Sequence, residues 1–147
     1  MQEKERIYKI ARSLREMNQA FFQATRKYAE MNGITYIQFL ALRLIKQYPL
    51  IGLGELAVHM RASPSTVSGV VDRLVQAELI VRDRPEEDRR SLVIRLSPKG
   101  EELLSRAEEQ ILERLSPLMD IPEKDIDRML KLHQQIIQIL KKISEEA

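Results

Sequence analysis

The sequence contains no cysteine, no tryptophan and only two histidines, His59 and His133. Without cysteine there is no disulfide framework, no thiolate nucleophile, no Cys-ligated zinc and no thiol-based oxidant sensor. Two histidines leave almost no material for a Ser-His hydrolase or a histidine-rich metal site. Neither is expected to bind metal: His59 falls on a helix surface and His133 on an apolar stripe. No Gly-rich phosphate loop and no nucleophile–base pair is visible. No uncharged run approaches the roughly 18 apolar residues of a membrane span. The opening Met1-Gln2-Glu3-Lys4-Glu5-Arg6 carries mixed charge and leads into no apolar stretch, so no secretory leader is expected. These absences predict a cytoplasmic protein that is not an enzyme, with no cofactor, no metal and no membrane contact.

What is present is an ordinary globular balance. The chain has 147 residues, 44% hydrophobic and 31% charged, enough for one domain or two small lobes sharing a core. Its net charge of +2 is not that of a general polyanion binder. The basic excess is modest and N-terminal: residues 1–60 carry nine basic and five acidic side chains, whereas residues 96–147 carry eight and eleven. Any contact with nucleic acid must therefore come from the placement of side chains rather than from bulk charge.

Hydrophobic spacing organises the chain. Ile7, Ile10, Leu14, Met17, Phe21, Ala24, Tyr28 and Met31 alternate by three and four, a heptad seam that Gly33 ends. Near the other terminus, Met129, Leu132, Ile136, Ile139 and Ile143 repeat that spacing, beside a second stripe of Ile126, Leu130, His133, Ile137 and Leu140. Two adjacent stripes exceed what one intrachain partner covers, so the terminal helices are expected to pair with each other and with a second copy, giving an obligate homodimer. Between them, Tyr36 to Lys46 predicts a helix with Ile37, Leu40, Ala41, Leu44 and Ile45 inward, stopped by Tyr48-Pro49. Leu53 to Met60 predicts a short helix. Ser63 as N-cap and Pro64 at the first helical position open another helix, running to about Ala77 with Val67, Val70, Val71 and Leu74 buried. Leu79 to Val81 and Leu92 to Leu96 read as strands of a hairpin with a charged tip. Ser97-Pro98 starts a further helix, and Pro117 and Pro122 bracket the turn before the last one.

Helix, short helix, turn, helix, hairpin is the order of a winged helix-turn-helix, whose second helix lies in the major groove of DNA. A helix that meets base edges must be slim, and Ser65, Thr66, Ser68 and Gly69 are small. Its positive dipole end, Ser63 to Thr66, suits a phosphate. Arg73 follows two turns later, where it can reach the backbone or pair with Asp72. The hairpin tip holds Arg82, Arg84, Arg89 and Arg90, with Asp83, Glu86, Glu87 and Asp88 as acidic neighbours. Two readings stand for it: a solvated charged loop, or a minor-groove probe in which a carboxylate orients a guanidinium.

Four stretches carry a resemblance: Ile34-Thr35-Tyr36-Ile37-Gln38-Phe39-Leu40-Ala41-Leu42, Gly54-Glu55-Leu56-Ala57, Ser63 through Leu74, and Asp88-Arg89-Arg90-Ser91-Leu92-Val93-Ile94-Arg95-Leu96-Ser97-Pro98-Lys99-Gly100. Together they resemble the MarR family of winged-helix transcriptional regulators, by motif over about residues 34–104 and by helix order over nearly the whole chain. The resemblance implies a mainly α fold with a small β-hairpin wing. It places the winged helix-turn-helix DNA-binding domain at 34–97, a connecting helix at 98–116, and a helical dimerisation region at 1–32 and 117–147. It implies a homodimer on a palindromic operator of double-stranded DNA, usually as a repressor. Ser65, Thr66 and Ser68 match the positions that meet bases and phosphates, Arg73 a basic position near the backbone, and Gln38 a position near phosphate. Arg90 matches the wing arginine that enters the minor groove, with Arg89 beside it and Asp88 as its orienting acid. Glu78 replaces the glycine usual after the recognition helix, so a left-handed backbone there costs roughly 1 kcal/mol.

Family members often answer to a small aromatic acid held between the DNA-binding lobe and the dimer helices. Phe21, Tyr28, Tyr36, Phe39 and Arg43 are the candidate lining for such an effector, aromatics plus one cation suiting an amphipathic anion; the bland alternative is ordinary core. A second class of function stays open beside DNA binding, a winged-helix module that docks on protein through its hairpin.

Overall fold

The ends of the helices set the path of the chain. A computed structural model describes residues 2–83 and 93–147. Its elements run α1 (Gln2–Met31), α2 (Tyr36–Gln47), α3 (Leu53–Met60), α4 (Pro64–Gln76), β1 (Ile80–Asp83), β2 (Val93–Leu96), α5 (Pro98–Leu115), a short 3-10 helix (Ser116–Asp120) and α6 (Glu123–Glu146). After α1, Gly33 takes a left-handed φ of +79°. Its N–H then reaches Glu30 O at 3.0 Å, and the Ile34 N–H reaches Ala29 O at 3.1 Å, the two bonds that satisfy the last carbonyls of a helix. Glu78 makes the same turn after α4 at φ +61°, with Glu78 N–H to Val75 O and Leu79 N–H to Leu74 O both at 2.9 Å. The glutamate thus accepts the left-handed backbone anticipated for it, and the turn into the hairpin forms.

The chain divides into two compact units, Met1–Ile111 and Leu112–Ala147. In the first, α2 lies against α1, α3, α4 and β2. Neighbours on so many sides bury adjacent positions: Ala41 and Leu42 are both fully buried, with Phe39 and Ile45. The expected inward set therefore changes. Ile37 is exposed and Leu40 and Leu44 are only half-buried, because a helix enclosed on several sides has no single apolar stripe. The underside of α4 follows expectation, with Val67, Val70, Val71 and Leu74 buried. Leu56 of α3, Ile94 of β2 and Leu104 of α5 complete this core. Each such side chain contributes about 1.5–3 kcal/mol by leaving water.

The hairpin pairs antiparallel, with Ile80 opposite Leu96, Val81 opposite Arg95, Arg82 opposite Ile94 and Asp83 opposite Val93. It is fastened to α5 at its base. The Ser97 N–H donates to Leu79 O at 3.0 Å, the Ser97 hydroxyl donates to Glu78 O at 2.6 Å, and the Gly100 N–H donates to that hydroxyl at 3.0 Å. Lys99 Nζ adds a bond to Ala77 O at 3.2 Å. Gly100 packs so closely that a Cβ there would overlap the Leu79 carbonyl. In the second unit, Pro117 opens the 3-10 helix and Pro122 caps α6, which makes the proline-bracketed turn expected there. Among the described residues no helix is long and apolar enough to cross a membrane.

Two of the helical glycines, Gly100 and Gly54, should respond oppositely to alanine. Gly100→Ala, driven into backbone, is expected to cost about 1–3 kcal/mol or more; Gly54→Ala, with nothing near its added Cβ, should gain up to about 1 kcal/mol. Urea unfolding midpoints of the two variants check both signs.

Candidate nucleic-acid interface

The second helix of the helix-turn-helix is built from its cap outward. Ser63 is extended at φ −67°, ψ 151°, and its hydroxyl accepts the Thr66 N–H at 3.2 Å while Pro64 starts the helix. The same hydroxyl donates to Thr66 Oγ1 at 2.8 Å and lies 3.2 Å from the Ser65 hydroxyl. Three of the expected contact residues thus form one local cluster. Ser63 is already engaged as the cap, whereas Ser65 and Thr66 stand exposed. One turn on, Ser68 is half-buried and Gly69 has open space where a Cβ would go. The helix is therefore apolar and enclosed below, thin and hydroxyl-bearing above.

The residues around it are placed as follows. Arg73 is exposed near the end of α4. Asp72 pairs with Arg82 of β1 rather than with its neighbour Arg73, and so ties α4 to the hairpin. Arg95 pairs with Asp83 across the strands. These two ion pairs brace the strands of the wing; sequence spacing did not single them out, because partners across a hairpin depend on register. Asp88, Arg89 and Arg90 lie outside the described residues. Gln38 takes up the reciprocal cap of α2: its Oε1 accepts the Thr35 N–H at 2.9 Å and its own N–H donates to Thr35 Oγ1 at 3.2 Å. That leaves its side-chain amide nitrogen for any phosphate.

The aromatic candidates separate. Phe22, not Phe21, meets Tyr36 edge to face at 4.6 Å, and Tyr36 lies 6.4 Å from Phe39. Phe39 and Tyr28 are buried, and Phe21 is exposed. The Arg43 guanidinium sits 5.9 Å over the Phe39 ring and pairs with Glu108 at 3.8 Å. On α1 the buried side chains are Thr25, Tyr28 and Ala29, and Phe22 rather than the seam residue Phe21 reaches Tyr36 of α2. His59 stacks on Tyr48 at 4.3 Å. Among the described residues no group of three His, Asp or Glu could hold a metal ion.

A capped, small-faced helix braced to a two-stranded wing defines a winged helix-turn-helix protein. The family model described as MarR family matches residues 34–92. A transcriptional regulator of Staphylococcus aureus, MgrA, is 30% identical over 101 residues, 67% of this chain and 68% of the relative. The uncharacterized HTH-type regulator YsmB of Bacillus subtilis is 29% identical over 131 residues, 89% of this chain and 88% of the relative. In fold, the chain is similar to Staphylococcus aureus MarR solved with salicylate and kanamycin. The TM-score is 0.83 at 22% identity, covering 96% of each chain. The chain belongs to the MarR family, and it is a DNA-binding transcriptional regulator.

Because Ser63 serves the backbone and Ser65 does not, their alanine variants should differ in stability. Ser63→Ala is expected to lose about 1 kcal/mol and Ser65→Ala to stay within about 0.5 kcal/mol of the parent, by thermal or urea unfolding.

Proposed function

We propose that the protein is a cytoplasmic, homodimeric repressor that reads a palindromic operator and lets go when a small phenolic or lipophilic anion binds. The observation that carries this reading is the two-sidedness of α4. Val67, Val71 and Leu74 are fully buried, so the helix is fixed in orientation, and Ser65, Thr66, Ser68 and Gly69 lie along the rest of its first two turns. Hydroxyls on a slim face can bond to base edges and phosphates. Arg73 adds a backbone contact. Arg90 probes the flanking minor groove, oriented by Asp88 with Arg89 alongside. The support for that placement is the motif Asp88-Arg89-Arg90 and the braced strands on either side of it.

The dimer rests on apolar surface left uncovered. Ile7, Ile10, Met17 and Phe21 of the α1 seam are exposed, and α6 buries none of its side chains. Two identical subunits then place recognition helices about one helical turn, roughly 34 Å, apart. For the effector, support comes from the salicylate held by the Staphylococcus aureus relative and from the aromatic run Tyr28, Tyr36 and Phe39 with Arg43, which suits an aromatic acid. Phe21, exposed on α1, belongs to that set only through the dimer.

Anisotropy titration with duplexes selected from random DNA tests the reading. Arg90→Ala should weaken binding by about 1–3 kcal/mol with the dimer intact, and Ser68→Ala should change which bases are preferred. Affinity should fall steeply as salt rises. A chain that ignores duplex in dilute buffer, while capturing protein through its hairpin, is a docking module instead.

A further inference from the structure

Where the end of α2, the turn after it, β2 and the start of α5 meet, the first unit leaves a cavity of about 350 Å³. Its floor is Ile45, Ile94 and Leu96, all buried. Charged side chains from three different elements reach its rim: Lys46 from α2, Arg95 from β2 and Glu101 from α5. Arg95 already shares its charge with Asp83. Among the described residues neither Lys46 nor Glu101 has an ion-pair partner, so the rim offers one free charge of each sign beside an apolar floor.

The remaining wall is unusual. Leu50 adopts a left-handed φ of +64° and is 73% exposed. That backbone is strained for a bulky side chain, and Leu50 recovers little through burial. It is held there by the next residue, Ile51, which is buried and whose carbonyl accepts the Ile94 N–H at 3.3 Å. The fold thus keeps an apolar side chain at the edge of a cavity it does not fill.

We propose that this cavity binds a small zwitterion with an apolar body, the chemistry of an α-amino acid bearing a large aliphatic or aromatic side chain. Its carboxylate meets Lys46, its ammonium meets Glu101, and its side chain lies on Ile45, Ile94 and Leu96 under Leu50. A simple anion leaves Glu101 opposed, and a simple amine leaves Lys46 opposed. A volume at the low end of ligand pockets suits one amino acid rather than a peptide. The ligand touches β2, a strand of the wing, so binding is coupled to the hairpin and, by reciprocity, to duplex affinity; that coupling, unlike the site, rests on the function proposed above.

The test is amide NMR of the full-length protein titrated with L-phenylalanine, and separately with phenylpropionate and phenylethylamine. L-phenylalanine should give saturable shifts confined to residues 45–50 and 94–101. Each single-charge analogue, and each of Lys46→Gln and Glu101→Gln with unchanged helical circular dichroism, should bind about tenfold more weakly. The analogue comparison uses the unaltered chain and so does not depend on either variant folding. Absent shifts, shifts elsewhere, or analogues that saturate as readily as the amino acid overturn the site. Intact shifts with duplex affinity unchanged by the amino acid overturn the coupling alone.

Discussion

A helix can present small polar side chains to DNA only if something else holds it still, and here that is the burial of its other side. Val67, Val71 and Leu74 have no exposed surface; they seat α4 against α2, α3 and β1. Serine, threonine and glycine on the outer side contribute little to stability, so that side is free to be chosen for recognition. The cap at Ser63 and the left-handed turn at Glu78 then fix where the helix begins and ends. The roughly 1 kcal/mol that a non-glycine residue costs in that turn is offset by the bonds that converge on residues 77–79 from Ser97 and Lys99.

The wing inherits its position from the same place. Ser97 and Gly100 lock the strands to the first turn of α5, and Asp72 reaches from α4 to Arg82. α4, the hairpin and the start of α5 are consequently one mechanical piece at their roots. A ligand beneath β2 would act on that piece directly, a different route from one through the aromatics between α1 and α2.

Local signals were legible in the sequence wherever one residue decides the geometry. Ser63-Pro64 marks the start of α4, Gly33 the end of α1, and the departure from glycine at residue 78 announced its positive φ. The underside of α4 was legible because only one side of it is covered. α2 was not, since enclosure by four elements puts Ala41 and Leu42 in the core together and leaves Ile37 outside. In α1 the heptad seam named Phe21, while Phe22 is the ring that meets Tyr36 of α2. A periodic stripe reports that a surface will be covered but not which partner covers it. The pairs Asp72–Arg82 and Asp83–Arg95 join residues ten or more apart, and only the strand register brings them together.

In the function proposed above, two copies of α4 read one stretch of double helix at matched spacing. Hydroxyl-radical footprinting on a duplex selected from random DNA measures this most directly. The expected result is two related protected stretches centred about one helical turn apart. A single isolated patch, or no protection in dilute buffer, would contradict it.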